Sequence, residues 1–148
     1  MMGFIKKAYD IARKKVFFCQ PKQPLTEIAK ILYGNNIGSI LVRDDKKIVG
    51  IITVNDMMRH IARNKDSRQT VAKDIMSSPV VTAAMDLEID ELVDEFNKYK
   101  VSRMVLIDKK GYAVGVVRDI AVYKYFSFFK FDEEAKNRFA KEYLHKLY

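Results

Sequence analysis

The chain is poor in the residues that build disulfide frameworks and metal centres. Its 148 residues include one cysteine, two histidines and no tryptophan. The single Cys19 excludes an internal disulfide framework and a cysteine-rich zinc site, and it fits a reducing compartment. His60 and His145 lie far apart in the sequence, so they do not form a helical histidine pair for a metal ion. We therefore expect a cytoplasmic protein without a metal site.

Long hydrophobic runs are missing as well. No segment approaches the roughly 18 consecutive apolar residues of a transmembrane helix, and the N-terminus lacks the apolar stretch of a signal peptide. Apolar residues make up 49% of the chain and charged residues 31%, which is an ordinary globular composition. We expect a single folded domain with a substantial core and no membrane association.

Recognisable catalytic motifs are also absent from the sequence. It contains no nucleophile elbow, no Walker loop and no metal-ligand spacing, and Cys19 has no histidine near it in sequence. The sequence therefore predicts a protein that is not an enzyme and that needs no cofactor for chemistry.

Positive charge is present in excess and is unevenly placed. The net charge is +8, and residues 1–73 carry 15 Lys and Arg against 6 Asp and Glu, whereas residues 74–148 carry 12 against 13. One interpretation is a patch that binds the phosphates of a nucleic acid; the other is a solvated surface rich in lysine. The excess follows two strings: Lys6, Lys7, Arg13, Lys14, Lys15 and Lys22, then Arg59, Arg63, Lys65, Arg68 and Lys73.

An internal repeat organises the chain. With an offset of 64 residues, Asp10 aligns with Asp74 and Glu27 with Glu91, and one inserted residue later Gly50 aligns with Gly115. Apolar residues at spacings of three and four predict helices, and short apolar runs predict strands. Each copy then consists of a strand, a helix, two strands and a second helix. In the first copy the predicted strands are 16–19, 39–42 and 48–53, and the predicted helices are one on Leu25, Ile28, Ala29 and Leu32 and one at 55–64. In the second copy the predicted strands are 80–82, 103–107 and 112–117, and the predicted helices are one on Ile89, Leu92, Val93 and Phe96 and one at 119–129.

Three motifs within this repeat resemble a known family. The segment 74–82 (DIMSSPVVT) resembles the segment that opens a cystathionine-β-synthase (CBS) domain, and 101–108 (VSRMVLID) resembles its central strand. The segment 50–56 (GIITVND) fits the family signature G-h-h-[ST]-x-x-D, where h is an apolar residue. Over about residues 10–128 the chain is similar to a tandem pair of CBS domains, known as a Bateman module.

The resemblance implies a mixed α/β (α+β) fold. Two βαββα repeats would be related by a pseudo-two-fold axis, with an additional C-terminal helix. The expected boundaries are an N-terminal segment at 1–9, a first repeat at 10–65, a linker at 66–73, a second repeat at 74–128 and a C-terminal helix at 129–148.

The resemblance also implies a nucleotide site in the cleft between the repeats. Asp56 would bind the ribose hydroxyls, Thr53 and its helix N-terminus would face the sugar-phosphate, and Arg103 would bind the phosphate. The partner repeat would supply the rest of the pocket from Val80, Val81, Thr82, Val101 and Ser102. Two alternatives stay open: Thr53 and Asp56 also match a helix capping box, and Arg103 also fits a surface charge paired with nearby acids.

The second repeat departs from the signature. Arg118 aligns with Thr53, and Ala121 aligns with Asp56, so the ribose carboxylate is missing. Asp119 is displaced by two positions and would point elsewhere on the helix. We therefore expect one good nucleotide site per chain. The second position would have been lined by Phe17, Phe18, Ile37, Gly38 and Ser39.

These features favour a non-catalytic regulatory module, such as an energy sensor, that binds AMP, ADP, ATP or another adenosyl compound and signals to a separate protein. The alternatives are a basic module associated with nucleic acid and a structural interaction protein without a ligand. The family resemblance implies a homodimer. The predicted C-terminal helix (131–148) either packs on its own module or forms the dimer interface, and the subunit mass of a chain ending at Phe131 distinguishes the two.

Overall fold

A computed structural model describes residues 6–63 and 65–129. The helix predicted for residues 131–148 lies outside these residues. None of the helices in the described ranges is long and apolar enough to cross a membrane. The elements are, in order, a 3₁₀ helix (Ala8–Ile11), β1 (Phe18–Cys19), α1 (Leu25–Gly34), β2 (Ser39–Asp44), β3 (Lys47–Thr53), α2 (Val54–Ala62), α3 (Ala72–Ile75), β4 (Thr82–Ala84), α4 (Ile89–Tyr99), β5 (Arg103–Ile107), β6 (Ala113–Arg118) and α5 (Asp119–Phe129).

The strands form two three-stranded sheets of identical topology. In the first, β1 pairs with β2 in parallel and β2 pairs with β3 antiparallel, and β4, β5 and β6 repeat this arrangement. A parallel pair needs a crossover connection, which α1 and α4 supply. Both antiparallel pairs carry an irregularity at the same place, after Val42 and after Leu106. The predicted α/β class and the βαββα order of each copy are confirmed.

The first strand of each copy lies further along the chain than the sequence predicts. The Leu41 amide donates to the Phe17 carbonyl at 3.0 Å, and the Val105 amide donates to the Val81 carbonyl at 3.0 Å. Regular pairing therefore begins only at Phe18 and Thr82. The apolar runs begin earlier, because their first residues are half-buried but precede the paired residues of the strand.

The described chain divides into two compact units, each with its own core. Of the described residues, one unit contains 6–15 and 81–129, and the other contains 16–63 and 65–80. The apolar spacing of α4 is borne out, since its four predicted core side chains are at most 2% exposed. The buried core of the first unit includes Ile89, Leu92, Val93, Phe96, Met104, Leu106, Val117, Val122 and Phe126. That of the second includes Cys19, Ile28, Leu32, Ile40, Val42, Ile52 and Ala72.

The compact units cut across the sequence copies. The segment that opens the first copy packs on the second sheet, where Arg13 and Val116 exchange two backbone hydrogen bonds at 2.9 and 3.0 Å. The segment that opens the second copy packs on the first sheet, where Ser77 and Ile51 exchange two bonds at 2.9 and 3.1 Å. The predicted linker (66–73) therefore ends inside a packed segment.

A glycine stands where each of these segments crosses its sheet. A Cβ at Gly50 would lie 2.8 Å from Met76 Cγ and 2.9 Å from Met76 Cβ. At Gly115 it would lie 3.2 Å from the Arg13 carbonyl oxygen. Because real Cβ atoms do not approach other carbon atoms this closely, any larger residue at position 50 forces Met76 away from the strand.

We expect Gly50→Ala to lower the free energy of unfolding by about 1 to 3 kcal/mol, as overpacking does in well-packed proteins. Gly34→Ala is the matched control, because a Cβ there meets nothing within 4 Å and alanine favours the helix. Urea unfolding of the two variants measures the difference. Equal stability of Gly50→Ala and the unaltered chain would contradict the close packing.

Candidate functional site

Thr53 and Asp56 bind each other at the start of α2. The Asp56 amide donates to Thr53 Oγ1 at 3.2 Å, and the Thr53 amide donates to Asp56 Oδ2 at 2.8 Å. The Thr53 hydroxyl also donates to Asp56 Oδ2, at 3.0 Å. The capping-box interpretation of these two residues is confirmed. It satisfies two backbone amides that would otherwise lack partners and fixes the carboxylate of Asp56 in one orientation.

The second oxygen of Asp56 has a different partner. Arg59 Nη1 donates to Asp56 Oδ1 at 3.2 Å. Asp56 is 8% exposed, whereas the side chain of Arg59 is 53% exposed. A buried carboxylate is stable only when it is paired or hydrogen-bonded. Oδ2 accepts hydrogen bonds from the capping residue Thr53, and Oδ1 accepts one from the half-exposed Arg59. Oδ1 is therefore the atom that an incoming hydroxyl group can reach.

Asp56 opens into a polar pocket within its own compact unit. The pocket has a volume of about 390 Å³. One wall is a single face of α2, because residues three, four and seven positions apart share a face of a helix, and the other wall comes from residues 65–75. Three cations and two carboxylates line it, which suits a ligand with both hydroxyl groups and negative charge. The lining residues are Asp56, Arg59, His60, Arg63, Lys65, Thr70, Asp74 and Ile75.

A buried histidine ties these two walls together. His60 is 5% exposed, and its Nε2 lies 3.3 Å from Thr70 Oγ1. The Thr70 hydroxyl donates its hydrogen to the Asp66 carbonyl at 2.7 Å, so it accepts from His60, whose Nε2 must carry a hydrogen. His60 is thus a structural element of the pocket wall, and its Nε2 hydrogen is donated to Thr70.

The other predicted site residues occupy the beginnings of strands. Val80 belongs to the same compact unit as Thr53 and Asp56, and the remaining five belong to the other unit. In that unit the Ser102 carbonyl accepts a bond from the Asp119 amide at 3.1 Å, as the Gly38 carbonyl does from Val54 at 3.0 Å. The half-buried members of the set are Val80, Val81, Val101 and Arg103, and the exposed members are Thr82 and Ser102.

The comparisons with known proteins agree with this repeated architecture. The sequence matches the CBS domain family over residues 8–63 and again over residues 72–127. The chain belongs to the CBS domain family.

Named relatives of this CBS pair include proteins of several kinds. It is 31% identical over 110 residues to an uncharacterized protein, MK0525, of Methanopyrus kandleri, covering 73% of this chain and 56% of the relative. It is 32% identical over 109 residues to an L-aspartate semialdehyde sulfurtransferase of Methanocaldococcus jannaschii, covering 73% of this chain but 21% of that enzyme. The CBS pair thus spans about half, or less, of the length of these relatives.

A solved structure with bound ligands is similar to the whole pair. It is the CBS domain pair of protein MJ0100 in complex with 5′-methylthioadenosine and S-adenosyl-L-methionine. The sequence identity is 30% and the TM-score is 0.70, with 81% of this chain and 98% of that chain covered. A CBS domain protein of Thermoplasma acidophilum, TA0289, has a TM-score of 0.74 at 16% identity, covering 93% of this chain and 76% of that one, and shares the fold.

The second CBS repeat differs at the positions equivalent to the capping pair. Arg118 stands opposite Arg103 across β5 and β6, where the first repeat has Thr53 opposite Ser39. Side chains of directly opposed residues share a face of the sheet, so two cations replace two hydroxyl groups there. The carboxylate of Asp119 accepts a bond from the Ile120 amide at 2.7 Å. It is thereby held at its own helix N-terminus.

The remaining differences reinforce this asymmetry. Ala121 packs against the hydrophobic core of its unit and offers no polar atom from its side chain. The aromatic residues predicted to line the second position are half-buried, and Arg43 lies over the ring of Phe18 at 4.0 Å. In residues 6–63 and 65–129, no group of three or more His, Cys, Asp or Glu side chains could hold a metal ion.

The sequence interpretation missed the basic wall of the pocket. The sequence interpretation assigned Arg59, Arg63 and Lys65 to surface charge and gave His60 no role, although all four line one pocket with Asp56. A signal was present, because positions 56, 59, 60 and 63 follow the helical period. Only the fold of residues 65–75 back over α2 could show that this face is covered.

We expect Thr53→Ala to lower the free energy of unfolding by about 1 kcal/mol, within the 0.5 to 2 kcal/mol typical of lost N-caps. The reason is that the Asp56 amide loses its acceptor and the carboxylate loses one of its donors. Thr53→Ser keeps the hydroxyl group and serves as the control. Urea unfolding is the measurement, and identical midpoints for Thr53→Ala and Thr53→Ser would refute the capping energy.

Proposed function

We propose that this CBS pair is a non-catalytic regulatory module that binds an adenosine-containing ligand through Asp56 and Thr53. The observation that carries the proposal is the Asp56 carboxylate, which is buried, is oriented by Thr53 and lines a polar pocket. A buried carboxylate with a fixed orientation suits the two neighbouring hydroxyl groups of a ribose, because hydrogen bonds to a charged acceptor are the strong ones.

The charges around Asp56 support a nucleotide in particular. Arg59, Arg63 and Lys65 line the same pocket, and guanidinium and ammonium groups are the usual partners of phosphate. We propose AMP, ADP or ATP as ligands, with adenosyl compounds such as those bound by the MJ0100 pair as the related class. Arg103 remains the proposed phosphate contact from the second repeat.

The adenine and sugar would be enclosed by the residues that the sequence assigns to the partner repeat. Val80, Val81 and Val101 are half-buried apolar side chains, which suit the faces of a purine ring, and Thr82 and Ser102 offer exposed hydroxyl groups. We propose one such site per chain, because the second repeat has Arg118 and Ala121 at the positions of Thr53 and Asp56.

The proposed output of the module is regulation of another protein. Ligand binding would change how the pair meets a separate target, and we retain the homodimer and the cytoplasmic location as proposals. The sulfurtransferase that this chain resembles is about five times the length of the match. Its activity therefore does not transfer to this chain, and we propose no catalytic step here.

We expect isothermal titration to show one adenosine nucleotide bound per chain, and Asp56→Asn to weaken that binding about ten- to a hundredfold. The substitution keeps the shape and a capping oxygen but removes the charge, and a hydrogen bond to a charged group contributes about 1.5 to 3 kcal/mol. A panel of AMP, ADP, ATP and S-adenosylmethionine, first tested by thermal shift, identifies the ligand to titrate.

Asp66→Asn is the matched control for this experiment. It removes the same charge from the same compact unit, but Asp66 pairs with Arg68 at the surface and does not line the pocket. Two equivalent sites per chain would contradict the proposed asymmetry of the repeats. Equal affinities of Asp56→Asn and Asp66→Asn would contradict the role of Asp56.

A further inference from the structure

The Asp56–Arg59 ion pair occupies the oxygen that a ribose needs. Arg59 Nη1 lies 3.2 Å from Asp56 Oδ1, while both remaining bonds from Thr53 converge on Oδ2. A carboxylate oxygen has two acceptor positions, but Asp56 is only 8% exposed, and Arg59 lines the same pocket beside it. A ribose hydroxyl that binds Oδ1 therefore competes with the guanidinium for the same approach.

The net free energy of displacing Arg59 from Asp56 depends on whether the ligand provides a new partner for the guanidinium. Arg59 is half-exposed, so its pair with Asp56 is weak and easily broken. If the ligand carries no charge, the guanidinium of Arg59 returns to water, and nothing replaces its ion pair with Asp56. If the ligand carries a phosphate, the guanidinium gains a partner of higher charge and a geometry that it binds with two parallel hydrogen bonds.

We propose that Arg59 is a specificity residue that moves from Asp56 to the ligand phosphate when ribose binds, so that the site selects phosphorylated nucleotides over uncharged adenosyl compounds. This inference rests on the proposed function, and it adds the ligand class and the residue that sets it. In this proposal Arg59 contacts Asp56 in one state and the phosphate in the other, and both residues line one pocket within one compact unit.

The other charges in the pocket leave this role to Arg59. Arg63 and Lys65 also line the pocket and add positive potential there, but within residues 6–63 and 65–129 only Arg59 forms a salt bridge with Asp56. Asp74 uses one carboxylate oxygen to accept the Val71 amide at 3.0 Å, at the start of α3. Of the three cations, only Arg59 therefore links the ribose-binding oxygen to the phosphate.

The test compares two ligands that differ in the phosphate, AMP and adenosine, by titration against the full chain and its Arg59→Gln variant. We expect Arg59→Gln to weaken AMP about tenfold, because a charge-assisted contact is lost. We expect the same variant to bind adenosine about two- to threefold more tightly, because its competitor for Asp56 is gone. A purely structural role for Arg59 would move both affinities in the same direction.

Arg68→Gln is the matched control, because it removes an equal charge from an exposed ion pair outside the pocket. It should leave the ratio of the AMP and adenosine affinities unchanged. Arg59→Lys, which keeps the charge but not the planar fork, should give an intermediate ratio. 5′-Methylthioadenosine serves as a second uncharged ligand and should follow adenosine.

The failures of the two proposals can be told apart. If the full chain binds AMP and adenosine but Arg59→Gln leaves their affinity ratio as it was, the specificity role of Arg59 is wrong and the adenosine site stands. If the full chain binds neither these three ligands nor ADP, ATP and S-adenosylmethionine, the proposed function is wrong, and so is this inference. Far-UV circular dichroism confirms that each variant is folded before its titration is interpreted.

Discussion

Each three-stranded sheet depends on a strand edge being covered by a segment from outside its own sequence copy. The outer edges of β3 and β6 carry unpaired backbone groups that favour aggregation when exposed. Ser77 covers the first edge and Arg13 the second, each through two backbone hydrogen bonds. Neither copy can therefore complete its sheet from its own residues. This exchange explains why the protein is a pair of repeats, and why Gly50 and Gly115, which permit the close crossings, are found at equivalent positions.

The same packing positions the carboxylate of Asp56. Because β3 is paired on both sides, its last residue is fixed, and Thr53 can both end the strand and cap α2. Asp56 is then held by a residue that the sheet itself immobilises. The segment that covers the edge continues from residues 65–75, which form the opposite wall of the pocket. The same segment of chain thus pairs with the edge of β3 and forms a wall of the pocket beside Asp56. Loss of the edge pairing would therefore also remove that wall.

The parts of this structure that follow from local patterns could be predicted from the sequence, and the parts that follow from long-range packing could not. The helices were indicated by apolar spacing, and β5 and α5 were predicted with the bounds that the structure has. The Thr53–Asp56 pair is local, so its capping role was also visible. By contrast, β4 begins at Thr82 because of its register against β5, which no local pattern specifies. The pocket around Asp56 was missed for the same reason, since Lys65 and Asp74 reach it only through the folding of the chain between them.

The pocket beside Asp56 explains part of the excess of positive charge in the first half of the chain. An isolated string of cations is best read as solvated surface, but Arg59, Arg63 and Lys65 converge on a pocket that also contains a buried carboxylate. A carboxylate and a guanidinium within 3.2 Å neutralise each other until a ligand separates them. A ligand that carries both hydroxyl groups and phosphate would give the carboxylate new hydrogen-bond donors and the guanidinium a new anion. Neither charge would then be left uncompensated in the pocket. An uncharged ligand satisfies only the carboxylate. The proposed selectivity for phosphate then follows from the pairing of Asp56 with Arg59 in one pocket.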